Sequence, residues 1–411
     1  MLVCYCVATS AVSRHLLQQI ESARSRTDQL FSLLEPGALF SRPIPERHRL
    51  IFYLGHLEAF DWNQICRNTL DIPSFHPEFD HLFEFGIDPP VGQVPQDQPA
   101  DWPPESEIRK YNKRVREIID EVLERAPEQV AHVAIEHRLM HAETLAYLFH
   151  NLPYDQKSPP RPSAIHGNRK LSAGLIQIPA GAATLGQKAG EFGWDNEFYE
   201  HQVDVPRFAI GQYKITNRDY LEFVRAGAQP PHFWSQRGGE WFYKGMFAEI
   251  PLPLNAPVFV THQEASAYAG WAGQGLPTEA QFHRAAYATP SGEEHAYPWG
   301  NDAPAITHGN FDFQAWDPID VTENPRGDSA FGVSQLVGNG WEWTSTVFGP
   351  FPGFEPFPFY PGYSKNFFDE QHFVMKGGSQ RTASCFLRRS FRNWFRPDYP
   401  YVYAGFRLVQ N

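Results

Sequence analysis

Apolar residues recur at helical spacing through the first third of the chain and in short runs after that. Residues 13 to about 34 place Leu16, Leu17, Ile20, Leu30, Leu33 and Leu34 on one stripe, the pattern of an amphipathic helix. A second run, 45–70, turns Leu50, Ile51, Leu54, Leu57 and Phe60 inward. Residues 71–104 break the rhythm with Pro and acidic groups and read as a long loop, a feature uncommon without a task such as covering a site mouth. Residues 105–125 resume as a third helix, capped by Ser106 or a neighbour and carrying Arg109, Lys110, Lys113, Arg114 and Arg116. The fourth run, Glu128 to Asn151, contains no Gly or Pro and is ended by Pro153. Residues 13–154 therefore read as a four-helix bundle.

The texture then changes twice. Residues 155–172, with Ser158, Pro159, Pro160, Arg161, Pro162 and Ser163, are polar and aperiodic and read as a linker. From 173 to 411, short apolar runs such as 174–178 and 208–210 alternate with Gly, Asn and Pro turns. Helices interrupt them: one from Asn217 to about Ala226, opened by Thr216 or Asn217; one from Thr261 to Ala272; and one from Ala280 to Ala288 after Pro277-Thr278-Glu279. The second domain is thus α+β with much irregular structure, and the chain is α followed by α+β.

A chain of 411 residues holds two domains with full cores. The formal net charge of -12 argues against a nucleic-acid binder, which needs a basic face. Aromatic residues make up 15% of the chain and most of the Gly and Trp fall in the second half, which points to a loop-rich second domain with aromatic pockets. Cys4, Cys6, Cys66 and Cys385 show no zinc or disulfide spacing, so the reducing cytoplasm is expected, and Cys4-x-Cys6 reads as part of a tail. Residues 1–12 lack a basic start and a cleavage site, and no apolar run approaches the length of a membrane span.

The chemistry concentrates in the fourth helix. His137 and His141 stand four apart, so both imidazoles leave one face, a turn from each other, as a metal-ligand pair would. A third ligand has to come from a facing helix, and His56 in the second run is the candidate. Arg109, Lys110, Lys113, Arg114 and Arg116 are either a solvated basic face or the source of one or two cations that hold a substrate carboxylate.

Several phrases of the second half, in order, are Phe192-Gly193-Trp194-Asp195-Asn196-Glu197, Ile215-Thr216-Asn217, Leu276-Pro277-Thr278-Glu279-Ala280 and Pro298-Trp299-Gly300-Asn301. Gly338-Asn339-Gly340-Trp341-Glu342-Trp343-Thr344, Lys376-Gly377-Gly378-Ser379 and Ala404-Gly405-Phe406-Arg407 follow. This ordered set resembles the formylglycine-generating enzyme and sulfatase-modifying factor family, which implies a C-type-lectin-like fold. The oxidising members bind copper through two cysteines just after Gly-Gly-Ser. Thr382 and Leu387 stand roughly there and Cys385 is alone, so formylglycine formation is not expected. The helical half, with His56 upstream of His137-x3-His141-x-Glu143, resembles the DinB-like bundle of the non-heme iron sulfoxide synthases of thiohistidine biosynthesis. Those enzymes join such a bundle to such a lectin-like domain.

The resemblance implies iron(II) held by His56, His137 and His141, with three coordination positions left for a thiolate, dioxygen and the substrate imidazole. It implies attachment of sulfur to the ring of hercynine, the Nα-trimethylated histidine, with oxidation to the sulfoxide. Glu143 then acts as a packing or outer partner, and the second domain supplies the other pocket wall. The family's active tyrosines map onto Tyr360-Pro361-Gly362-Tyr363, with Tyr360 the proton donor by order and Tyr363 beside it. Hercynine recognition maps onto Arg392-Asn393-Trp394-Phe395-Arg396: Trp394 toward the trimethylammonium, Asn393 toward the carboxylate, Arg396 as a further cation. Three positions depart from the family pattern. Phe395 replaces the Asp of γ-glutamyl-cysteine users, Met140 replaces a Gln before the second ligand, and Gln380, followed by Arg381, replaces an aromatic after Gly-Gly-Ser. Free cysteine is therefore the expected donor. A selenosugar, as in the related selenoneine synthase, is the alternative, and a lectin-like binding protein without catalysis is the alternative of another class.

Overall fold

The computed structural model describes residues 13–86, 94–159, 171 and 174–411. The readings of residues 1–12, of Cys4-x-Cys6 and of Arg161, Pro162 and Ser163 lie outside the described residues. The chain divides after Pro160 into two compact units.

The first unit is helical. Its α-helices are α1 (Arg14–Phe31), α2 (Leu50–Asp61), α3 (Pro77–Phe85), α4 (Glu105–Val122) and α5 (Glu128–His150). α1 packs along α5, and α2 touches α3, α4 and α5. Leu50, Ile51, Leu54 and Leu57 are buried as their spacing predicts, and α2 runs on through a π-helical turn, Trp62–Arg67. α3 was not expected: it lies in the stretch read as loop. The Pro and acidic groups that suggested a loop are here a helix start. Pro77 opens the first turn, Glu78 and Asp80 follow, and His76 accepts the Phe79 N–H at 3.2 Å. Asp80 is buried and pins α3 inward, accepting from Trp62 Nε1 at 2.9 Å and the Tyr111 hydroxyl at 2.7 Å. α4 begins at Glu105 behind Pro104 with no side-chain cap, so Ser106 does not serve as one. Residues 155–158 also depart from the linker reading. Lys157 donates from Nζ to the Phe149 and His150 carbonyls at 2.7 and 3.0 Å, closing the open end of α5. The polar texture there marks a strap on the helical unit.

The second unit is α+β. Its strands are β1 (Leu175–Ile178), β2 (Gly181–Leu185), β3 (His201–Val205), β4 (Phe208–Gly211), β5 (Trp234–Arg237), β6 (Glu240–Lys244), β7 (Glu249–Pro251), β8 (Trp341–Val347), β9 (Phe373–Lys376), β10 (Asn393–Phe395), β11 (Ala404–Gly405) and β12 (Val409–Gln410). They form sheets ordered β1-β4-β12, β10-β9-β8-β11, β2-β3 and β5-β6-β7. Helices α6 (Asn217–Arg225), α7 (His262–Trp271) and α8 (Glu279–Tyr287) start at capping boxes on Thr216, Thr261 and Thr278. Phe282, Ala285 and Ala286 of α8 pack with Ile178, Leu185, Phe208 and Ile210 in the core. Arg407 is buried against Glu342 by two bonds of 2.8 and 3.0 Å, which tie the last strands to β8. Among the described residues no helix is long and apolar enough to cross a membrane.

Candidate metal centre

α2 and α5 bring His56, His137 and His141 together, with their ligand nitrogens all within 4.8 Å of one another. His56 Nδ1 lies 2.6 Å from the Phe83 carbonyl of α3. A carbonyl only accepts, so Nδ1 carries the proton and the Nε2 lone pair is left bare. That Nε2 stands 3.2 Å from His141 Nε2. Two nitrogens bound at roughly 2.1 Å to adjacent corners of one octahedral ion stand about 3 Å apart. Gly55 permits this approach of α3: a Cβ there would sit 2.4–2.5 Å from the Phe83 ring.

Aromatic rings fix the imidazoles. Phe60 lies flat on His137, centroids 3.4 Å apart and planes 9° apart, and Phe52 stacks on His56 at 4.8 Å. Burial removes water from all three. It pushes His56 down to about 4, and pushes His137 and His141 well below 6.5, where the neighbouring imidazoles add to the effect. The rings are therefore neutral at physiological pH, the state in which imidazole is a ligand. His137 Nδ1 and His141 Nδ1 are buried with no hydrogen-bond partner among the described residues. Neutral, converging and partly unsatisfied nitrogens fit a borderline divalent metal such as iron(II). Glu143 is not part of the converging group.

Of the cations carried by α4, Arg109 and Lys113 lie elsewhere. Arg109 is exposed and paired with Glu105 at 2.6 Å, and Lys113 reaches toward Glu117 at 3.9 Å. Both line a cleft with Glu58 and Arg116 to which none of the three histidines contributes. Met140 is half-buried in the turn before His141.

In the second unit the expected substrate residues form an aromatic cluster. Tyr363 stacks on Trp194 at 4.0 Å and meets Trp394 edge-on at 5.5 Å, with Tyr360 5.6 Å from Tyr363. Phe348 covers one face of Trp394 at 4.1 Å. Burial, aided by the nearby Asp195 carboxyl, pushes the Tyr360 hydroxyl up to about 12. Asn393 Oδ1 accepts the Trp394 N–H at 2.9 Å, which assigns the other amide atom as the NH2 donor. Phe395 stacks on Tyr399 at 5.1 Å, and Arg396 is exposed. Gln380 is fully buried, and neither its amide oxygen nor its nitrogen has a partner among the described residues. Residue-by-residue reading missed Phe83 and Trp194. The first was hidden in the supposed loop; the second sits in a motif used only for fold.

Residues 162–411 match the sulfatase-modifying factor enzyme 1-like domain. The hercynine oxygenase of Mycolicibacterium thermoresistibile is 32% identical, over 96% of this chain and 94% of that protein. The chain belongs to the ergothioneine sulfoxide synthase family. A second member, the hercynine oxygenase of Mycolicibacterium smegmatis, is 33% identical over 96% of this chain and 98% of that protein. Ergothioneine biosynthesis protein 1 of Neurospora crassa is 28% identical over 92% of this chain, which spans 56% of that longer protein. The family relation covers the helical unit as well as the lectin-like one, so the three histidines lie within the stretch shared with these relatives.

Proposed function

We propose that this protein is an iron(II)- and O2-dependent synthase of ergothioneine biosynthesis that joins C2 of the hercynine imidazole to a chalcogen donor, cysteine in the first instance. The observation that carries the reading is the convergence of three neutral imidazoles on one point. The stoichiometry closes: C2–H and S–H are lost, a C–S bond and an S=O bond form, and O2 supplies the sulfoxide oxygen and one water. Iron(II), held by His56, His137 and His141, would supply O2 activation and a site for a soft thiolate. We read the helical unit as DinB-like and place the reaction in the cytoplasm.

The chain's own residues do the rest. Tyr360, protonated throughout the neutral range, is the proton donor, and Tyr363 holds the ring cluster around it. Trp394 offers its ring to the trimethylammonium of hercynine, and Asn393 donates its amide NH2 to the carboxylate. Phe395 and exposed Arg396 flank them. Substrate contacts are assigned here rather than to Arg109 and Lys113, which line a cleft that the three histidines do not reach. Met140 stands beside His141 as an apolar wall.

A second reading has its own observation. The unpartnered amide of Gln380 suits a hydroxyl-rich donor, which favours C–Se bond formation from a selenosugar. Anaerobic loading with iron(II), followed by hercynine with cysteine or selenosugar under air, separates the two by product mass. No coupling to either donor rejects the class. Ligand binding without oxygen uptake at an electrode leaves a lectin-like binding protein instead.

A further inference from the structure

Four helices of the first unit meet at one buried ion cluster built around Arg138 and Glu58. Arg138 lies on α5 between His137 and His141 and is 1% exposed. Its Nη2 donates to Glu58 Oε2 at 2.7 Å, Asp61 Oδ2 at 2.6 Å and the Leu57 carbonyl at 3.1 Å, all on α2. Its Nη1 donates to Glu58 Oε1 at 3.1 Å and to Thr27 Oγ1 of α1 at 3.4 Å. From α4, Arg116 takes Glu58 Oε1 at 2.6 Å and continues to Asp28 of α1 at 2.7 and 2.8 Å.

Stability does not explain such a cluster, because buried ion pairs are commonly no better than apolar packing of the same volume. What the cluster adds is direction. Glu58 and Asp61 stand three apart on one face of α2 and meet the fixed fork of a single guanidinium. A slide of α2 along α5 by one turn would strand two carboxylates and a guanidinium without water, so one register is held against its neighbours. His56 is two residues before Glu58, about 200° round the helix, so the ion cluster backs the ligand without touching it. His137 adjoins Arg138 directly.

We propose that Arg138, Glu58 and Asp61 are positioning residues that lock α2 against α5 in the register that brings His56 opposite His137 and His141. This rests on the reading of those histidines as metal ligands. Cobalt(II), added to the metal-free 411-residue chain, is the probe, since its d–d bands report coordination directly. Glu58→Gln, Arg138→Lys and the shape-preserving Asp61→Asn are compared with Arg42→Gln, which opens a different ion pair in the same unit, Arg42 with Asp97. The expected result is a roughly 10- to 100-fold loss of cobalt affinity with altered bands in the first three, as for other groups that orient ligands, and unchanged binding in Arg42→Gln. Should Arg138→Lys not fold, Glu58→Gln and Asp61→Asn decide alone. Folded variants that bind with wild-type affinity and bands, or an equal loss in Arg42→Gln, overturn the positioning role. Wild-type protein that takes up no cobalt instead overturns the metal reading, and this inference with it.

Discussion

At the scale of residues, each histidine of the centre is expected to be needed for metal rather than for fold alone. His56→Ala, His137→Ala and His141→Ala should each lose stoichiometric iron in a metal assay of protein that still gives a helical circular dichroism spectrum. Full iron in any one of them removes that residue from the ligand set. Tyr360→Phe should keep its iron and lose turnover, because only the proton goes; unchanged kcat would transfer the role to Tyr363. Trp394→Ala should raise KM for hercynine by about two- to thirtyfold, the span of a cation–π contact of about 0.5–2 kcal/mol, with iron content intact. The convergence of His137 and His141 was legible in sequence because helix geometry puts positions four apart on one face. The Phe83 carbonyl that orients His56 was not, since a backbone oxygen leaves no residue-type signature and sat inside a misread loop.

At the scale of elements, Gly55 and α3 are one device. Gly55→Ala gains helix propensity on α2 yet places a methyl carbon against the Phe83 ring, which has no flexible end to yield. A net loss of about 1–3 kcal/mol in urea unfolding is expected, together with weaker metal binding as α3 backs away from His56. Gain of stability without loss of metal would show that α3 does not orient the ligand. The periodic helices of the first unit and the three capped helices of the second could be read from the chain, because apolar spacing and Thr caps act locally. α3 could not, because the Pro and acidic residues that begin a helix are also those that fill loops; its evidence is the burial of Asp80 by residues far along the sequence.

At the scale of the whole molecule, acid sensitivity follows from histidines buried neutral. Burial lowers His232 and His262 to about 4 and holds His283 well below 6.5, while an unfolded histidine titrates near 6.5. Between about pH 6.5 and 4 the unfolded chain therefore binds protons that the folded one refuses, so stability falls as pH falls through that window. Thermal midpoints measured from pH 7 to 4.5 should decline, and His262→Gln should flatten the decline; a flat wild-type profile would mean these rings stay accessible to protons when folded. The two-part organisation was legible because hydrophobic periodicity changes along the chain. The arrangement of short strands into sheets was not, since it is set by non-local pairing such as β11 beside β8.

The 3.2 Å gap between His56 Nε2 and His141 Nε2 has a consequence for metal selectivity. Nitrogen donors already gathered at that spacing ask for little rearrangement on loading, and the Irving–Williams order predicts that such a site takes copper, nickel and zinc more tightly than ferrous ion. On the proposed reading of this site, the protein is expected to discriminate poorly among divalent metals and to load what its surroundings supply. Material from a nickel column is expected to arrive blocked, and stripping with a chelator before ferrous loading should restore its turnover.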